Sequence, residues 1–312
     1  MPPAISAFLR ALILPMLGVL VFTLLWSFSA SKIDTSLGKF PGPGAVAEQV
    51  VNLYNEHQAS REKELAFYER QEQRNAARIA KDPTYIPKTR TFTGKETFVD
   101  QIGTSLMTVL SGFILAAIIA IPLGIAIGLS KSLNTAINPI IQIFKPVSPL
   151  AWLPLVTMVV SALYVSSDPM FAKSYIVSLI TVTLCCLWPM VMNTSVGVAS
   201  LNSDWTNVSR VLRLPTLTHI RKIVLPASVP AIFTGMRLSL GIAWMVLIAA
   251  EMLAQNPGLG KFVWDEFQNG SSSSLSRIMT AVLVIGLIGF MLDRSMLLLQ
   301  RWLSWDKSTQ VR

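Results

Sequence analysis

Two cations stand inside apolar stretches where a charge is expensive. Lys145 lies about six residues into one run and Arg237 about eight into another, so at ~1.5 Å per residue both sit roughly 10 Å from the nearer edge. A charge at that depth should face an aqueous cavity or a partner. Facing a cavity, two such cations offer electrostatic attraction of a small anion without holding it tightly. Other readings stay open. The Lys145 stem can snorkel back to an interface, and Arg237 has a possible counter-ion in Asp293, at similar depth in the last apolar run. Trp152, Trp188 and Trp244 are candidates for lining the same path, and Ser148 and Thr157 for offering hydroxyls to an anion. Aromatic residues in such runs are more commonly packing or interfacial anchors, and Met236, Met245 and Met252 read as core.

Covalent and metal chemistry find little to work with. The only histidines are His57 and His219, and the two cysteines, Cys185 and Cys186, are adjacent within an apolar run. Neighbouring cysteines bridge only with strain, so they read as small buried hydrophobes, and no zinc-ligand spacing occurs. Asp265 and Glu266 lack an accompanying nucleophile or base and read as rim contacts. The run from Gly258 to Lys261 is too short for a phosphate-binding loop. No catalytic residue, metal or cofactor is assigned to this chain, and any ATP and Mg would be held by a partner.

The elements that must position these residues are membrane spans. The chain has 312 residues, 52% apolar and only 14% charged, with mean hydropathy +0.53, whereas a soluble domain carries about 25% charged residues. Arg10 precedes an apolar segment from Ala11 to about Phe28, near the minimum for crossing about 30 Å of hydrocarbon. A cleaved signal ending at Ser29, Ala30 and Ser31 is the alternative. Five further stretches run from about Ser105 to Leu129, Pro139 to Tyr164, Ser174 to Thr194, Val229 to Glu251 and Ile278 to Leu299, giving six candidate spans. Gly112, Gly124 and Gly128 suit close helix approach in lipid. Pro146, Pro149 and Pro154 break the third expected span, and irregular backbone at depth belongs beside protein or an aqueous cavity.

Between the first two spans, residues 31–101 turn polar. A turn from Phe40 to Gly44 leads into a charge-mixed helix from Ala45 to Lys81, ending near Asp82 and Pro83. Ten acidic residues face eleven basic ones between Lys32 and Asp100, which reads as a solvated projection rather than an anion-attracting field. A coiled contact with a second copy, anchored on Leu65, Phe67 and Tyr68, is the alternative. After the fifth span, Gln255 to Ser276 carries apolar Phe262, Val263, Trp264 and Phe267 and then a Gly-Ser run, the pattern of an interfacial amphipathic helix.

With the N-terminus inside, the cytoplasmic segments hold Arg10, Lys131, Arg210, Arg213, Arg221, Lys222, Arg294, Arg301, Lys307 and Arg312 against Asp204, Asp293 and Asp306. The short external loops hold Lys173, Lys261 and Arg277 beside Asp168, Glu251, Asp265 and Glu266. This asymmetry places both termini in the cytoplasm and explains the net charge of +9 without nucleic acid.

The remaining stretch, Leu201 to Pro226, is too basic for lipid and too patterned for a linker. Val208, Val211 and Leu212 share a helical face beside Arg210 and Arg213. Pro215 stops that turn, and a second short helix from Thr216 to Val224 carries His219, Arg221 and Lys222 back to the membrane. Flanking spans fix its orientation, which makes it a docking surface.

This stretch resembles the coupling loop of permease subunits of ABC importers, whose pattern is Glu-Ala-Ala, three residues, Gly, nine residues, then Ile-x-Leu-Pro. Ile223, Leu225 and Pro226 match; the spacing puts Arg213 at the family glycine and Asn207, Val208 and Ser209 at Glu-Ala-Ala, so the front half departs from the pattern. The continuation from Pro226 to Leu253 is similar to the nitrate, sulfonate and bicarbonate branch, and Phe144 to Val159 looks most like its nitrate members. The resemblance covers roughly 101–305.

It implies an all-α polytopic membrane protein with six transmembrane helices and the type I importer permease architecture. Residues 1–30 would form the first span, 31–101 a periplasmic insertion, 102–305 the five-helix core with coupling loop 201–226, and 306–312 a cytoplasmic tail. The resemblance further implies a multi-pass protein of a bacterial inner membrane. Its partners would be a second copy of itself, two cytoplasmic ATPase subunits, a periplasmic solute-binding protein docking at the gate after the fifth span, and lipid. ATPase closure would rock the spans and alternate access to a path at the dimer interface. Nitrate is the expected solute; sulfonate or taurine, cyanate and bicarbonate are alternatives. A passive channel and a membrane enzyme are the rival classes. The first predicts ATP-independent flux, and the second needs an intramembrane acid, nucleophile or metal cluster that this sequence lacks.

Overall fold

Ahead of each proline, backbone sterics push the preceding residue out of the helical region, and several helix boundaries follow from that. A computed structural model describes residues 3–35, 38–82, 84–165 and 170–303. The helices are α1 (Pro3–Ala30), α2 (Pro43–Lys81), α3 (Phe98–Leu129), α4 (Lys131–Phe144), α5 (Pro149–Leu163), α6 (Lys173–Ala199), α7 (Ser203–Val211), α8 (Thr216–His219), α9 (Leu225–Ala254), α10 (Leu259–Asn269) and α11 (Ser274–Leu303). A π-helical turn, Ile220–Val224, joins α8 to α9, and a two-residue antiparallel hairpin pairs Asp34 with Lys39. The expected all-α class holds. The Arg10 side chain, Asp168 and the expected 306–312 tail lie outside the described residues.

Among the described residues five helical stretches are long and apolar enough to cross a membrane: Ile13–Ala30, Phe98–Leu129, Lys173–Ala199, Thr216–Ala254 and Ser274–Leu303. The third expected span, Pro139 to Tyr164, is broken as its prolines lead one to expect: α4 and α5 meet at 98°, and only as a bent pair do they make a sixth span. Ser148, extended at φ −61 and ψ 138 before Pro149, caps α5 with its hydroxyl and puts Pro149 at the first helical position. Pro154 does not break the chain; it sits inside α5.

The described residues fall into two compact units. In the unit formed by 1–101 and 262–283, α2 buries Val46, Gln49, Leu53 and Gln71. The extended chain after it runs back along the helix: Gln71 Oε1 accepts from the Arg90 N–H at 2.8 Å, the Tyr68 hydroxyl from the Phe92 N–H at 3.2 Å, and Phe67 packs on Phe92 at 5.7 Å. Phe67 and Tyr68 thus have partners within the chain, whereas Leu65 stays exposed. At the end of α2 the Asp82 carboxylate accepts from the Thr84 hydroxyl and N–H, which holds it below its usual pKa.

In the unit formed by 102–261 and 284–312, α6 is the central helix. Gly112, Gly124 and Gly128 of α3 face Val182, Thr194 and Val198 of α6 so closely that a Cβ would lie 2.8, 2.6 and 2.6 Å from them. This is the close approach expected of the glycines, and it replaces the hydrophobic drive that lipid does not supply. On its other side α6 packs along α9. Gly197 meets Ala231 there, Gly235 meets Asn193, and Cys186 and Ser239 exchange bonds to each other's carbonyl oxygens at 3.5 and 2.8 Å. Cys186 is fully buried, and neither cysteine is bridged.

Candidate functional site

The basic segment is built from local caps. The Asn202 side chain accepts the Asp204 N–H at 3.0 Å, Asp204 lies in the first turn of α7 and Arg210 in its last, so both ends complement the helix dipole. The helix then closes through Leu214 N–H to Ser209 O at 3.1 Å, with Arg213 at φ 47. That left-handed conformation favours glycine, and Arg213 is the residue that the spacing aligned with the family glycine. Pro215 precedes α8 as expected.

One expectation is corrected. The second short helix does not end at Val224: α8, the π-turn and α9 run on continuously, with Pro226 in the first turn of α9. Bonding shifts to i→i+5 where Leu225 N–H reaches Ile220 O, one residue before the N–H that proline lacks. The segment is rooted by Val224, packed with Ile125 and Val198. Outward, Trp205, Val208, Val211, Leu212 and Leu217 are exposed among Arg210, Arg213, Arg221 and Lys222. Of the remaining candidates, Asn207, Leu225 and Pro226 are exposed, Ile223 is partly covered and Ser209 is buried.

The intramembrane charges separate into two settings. Arg237 on α9 meets Asp293 on α11 through Nε to Oδ1 at 2.5 Å and Nη2 to Oδ2 at 3.0 Å. This is the counter-ion reading. The pair borders a cavity of about 160 Å³ that Trp244, Gly241 and Gly289 also line. Trp244 donates to Ile285 O at 2.9 Å and is 5% exposed, so it is held as packing as well as lining. Lys145 is exposed at the C-terminal end of α4, at the break rather than inside a continuous span. Trp152 stacks on Phe144, which stacks on Trp188, at 5.7 Å in each case, so Trp152 belongs to an aromatic ladder across the α4–α5 bend.

Sequence reasoning missed a buried carboxylate. Glu251, expected among the external loop charges, is 0% exposed inside α9. Ser105 of α3 donates to it at 2.8 Å and the Gly260 N–H at 2.9 Å. A carboxylate closing an apolar run seven residues before a Gly-x-Gly was the available signal. Glu266, expected as a rim contact, is also buried, with the Ser274 hydroxyl at 3.1 Å and Arg277 at 2.7 Å. Among the described residues no group of three or more His, Cys, Asp or Glu could hold a metal.

With this geometry in place, known proteins give a consistent match. The family model described as the binding-protein-dependent transport system inner membrane component matches residues 120–305. The nitrate import permease protein of Leptolyngbya laminosa is 39% identical over 62% of this chain, a match that spans 64% of the relative's own length. The bicarbonate transport system permease protein of Synechococcus elongatus is 33% identical over 95% of this chain and 90% of its own. A solved chain of the MetNI methionine ABC transporter, in an inward-facing conformation, has a TM-score of 0.57 over 66% of this chain and 95% of that chain; at 12% identity the likeness is one of fold. The family match covers more than half of the chain, and the chain belongs to it: the inner membrane permease components of binding-protein-dependent transport systems.

Proposed function

We propose that this chain is the membrane permease of an ATP-driven importer of a small inorganic anion, nitrate in the first place. It works as a homodimer with two cytoplasmic ATPase subunits and a periplasmic binding protein, by alternating access to a path between the two copies. The observation that carries this reading is the 201–226 segment, where exposed Trp205, Val208, Val211, Leu212 and Leu217 are rimmed by four cations. An apolar patch with a charged rim is how a soluble partner is docked, and the direct helical run from Thr216 to Ala254 gives the push a stiff path into the spans. ATP and Mg belong to the ATPase chains. Both termini and this segment lie on the cytoplasmic side of a bacterial inner membrane, supported by the Lys/Arg asymmetry of the short loops.

The nitrate assignment is supported by the name of the relative that is 39% identical. Bicarbonate is the second reading, favoured by the relative that aligns over 95% of this chain. Uptake of labelled nitrate, taurine and bicarbonate by the reconstituted complex, with and without ATP, tests both. ATP-dependent nitrate uptake is the expected result, whereas anion flux without ATPase subunits would identify a channel.

A further inference from the structure

We infer that Glu251 is a positioning residue: its carboxylate locks the turn between α9 and α10 to the ends of α9 and α3, so that the three segments move as one body when access alternates. The inference rests on the importer reading above.

The lock is built at atomic detail. Glu251, Ser105 and Leu259 are each 0% exposed and Asn256 is 1% exposed. Ser105 Oγ takes the Leu259 N–H at 2.9 Å and gives its own proton to the Glu251 carboxylate, 2.8 Å from Oε1 and 2.9 Å from Oε2. The Gly260 N–H reaches Oε2 at 2.9 Å. These partners present donors and both carboxyl oxygens of Glu251 accept, so one side chain satisfies backbone and hydroxyl groups brought together from positions 105 and 260.

The turn is shaped around that carboxylate. A Cβ at Gly258 would overlap both Glu251 oxygens, and one at Gly260 would overlap Ile248 O. Gln255 enters the turn at φ 54, and Asn256 Oδ1 accepts from Ser174 at the start of α6 at 3.3 Å. A plain loop would not require two glycines, a left-handed glutamine and a buried carboxyl group. A surface that must transmit movement without slack requires that its parts be fixed to one another, because coupling between sites needs an element with discrete arrangements.

The test uses the full complex in liposomes with labelled nitrate, reading uptake, ATPase rate with and without the binding protein, and complex assembly. Glu251→Gln keeps the size but sets an amide donor against the Ser105 and Gly260 donors; Gly258→Ala fills the space the carboxylate occupies. Both are expected to assemble, to keep basal ATPase activity, and to lose binding-protein stimulation and uptake by about tenfold, a typical coupling factor. In the double variant Glu251→Asp with Gly258→Ala, the shorter acid makes room for the methyl group, and stimulation is expected to return. Wild-type coupling in Glu251→Gln would overturn the inference, and so would assembly and basal ATPase falling in step with uptake, the mark of a purely structural role. Failure of the importer reading appears separately, as a wild-type complex that takes up no nitrate with ATP.

Discussion

The Arg237 guanidinium grips Asp293 in a fork of two bonds, at 2.5 and 3.0 Å, that joins α9 to α11 beside a small cavity. Both side chains are about two-fifths exposed, at 41% and 38%. The worth of the pair therefore falls between the ~0–1 kcal/mol of an exposed ion pair and the ~3–5 kcal/mol lost when one member of a buried pair is removed. Arg237→Leu and Asp293→Leu should each lower the thermal stability of the purified protein, and the Arg237→Leu, Asp293→Leu double variant should be more stable than the two single losses add up to. Uptake measured on the same variants separates roles. If it recovers with stability in the double variant, the pair is a brace; if it stays lost, Arg237 also meets the anion.

Arg213 stands at φ 47, where a non-glycine residue carries a cost of roughly 1–2 kcal/mol. Arg213→Gly should relieve that strain and leave ATPase assembly in place, because the turn geometry is kept. Arg213→Glu keeps the strain and reverses the charge on the docking rim, as does Arg210→Glu on the rim alone. Both are expected to reduce co-purification of the ATPase subunits and coupled uptake while membrane insertion is normal. Full assembly with either glutamate variant would remove the docking role.

The α3–α6 contact predicts a contrast between glycines. Gly124 faces Thr194 and Gly128 faces Val198 with no room for a methyl group, whereas Gly286 has nothing within 4 Å of where a Cβ would stand. Gly124→Leu and Gly128→Leu should overpack the interface and cost about 1–3 kcal/mol or more. Gly286→Ala should be neutral or stabilise by about 0.5–1 kcal/mol, the helix-propensity gain. Thermal unfolding of the three variants in detergent reads the order directly.

These contrasts also mark what the sequence made legible. Spans, close-packed glycines and the proline-punctuated basic segment are local signals: hydropathy over a window, small residues on one face, a proline after a short amphipathic turn. Each survives as an element here. The 98° bend between α4 and α5 was half visible; prolines announced a break, but the angle is set by packing such as the Trp152, Phe144 and Trp188 ladder. Glu251 was hard to read as a structural residue because Ser105, which donates to it, lies 146 residues away, and the nearby Gly-x-Gly was the one local hint. A charge at a span end reads as a loop charge until its long-range donors are known. The Phe67–Phe92 contact was hidden for the same reason, since it forms only when the chain doubles back along α2.

Arg277 sets up an asymmetry that magnitudes decide. It donates to Glu56 at 2.6 and 3.1 Å and to Glu266 at 2.7 Å, and its guanidinium lies 5.5 Å from the Phe262 ring centre. Glu56 is 53% exposed while Glu266 is 9% exposed at its side chain. Water can replace Arg277 at Glu56, so Glu56→Ala removes an exposed pair worth ~0–1 kcal/mol. Arg277→Ala strips the counter-ion from a buried carboxylate, which costs about 3–5 kcal/mol. Limited proteolysis and thermal unfolding should therefore find Glu56→Ala close to wild type and Arg277→Ala strongly destabilised. Glu266→Gln combined with Arg277→Ala should recover part of the loss, because the neutral amide no longer leaves a charge unpaired. Equal effects at positions 56 and 277 would mean that the α2 helix, not the buried carboxylate, is what Arg277 holds.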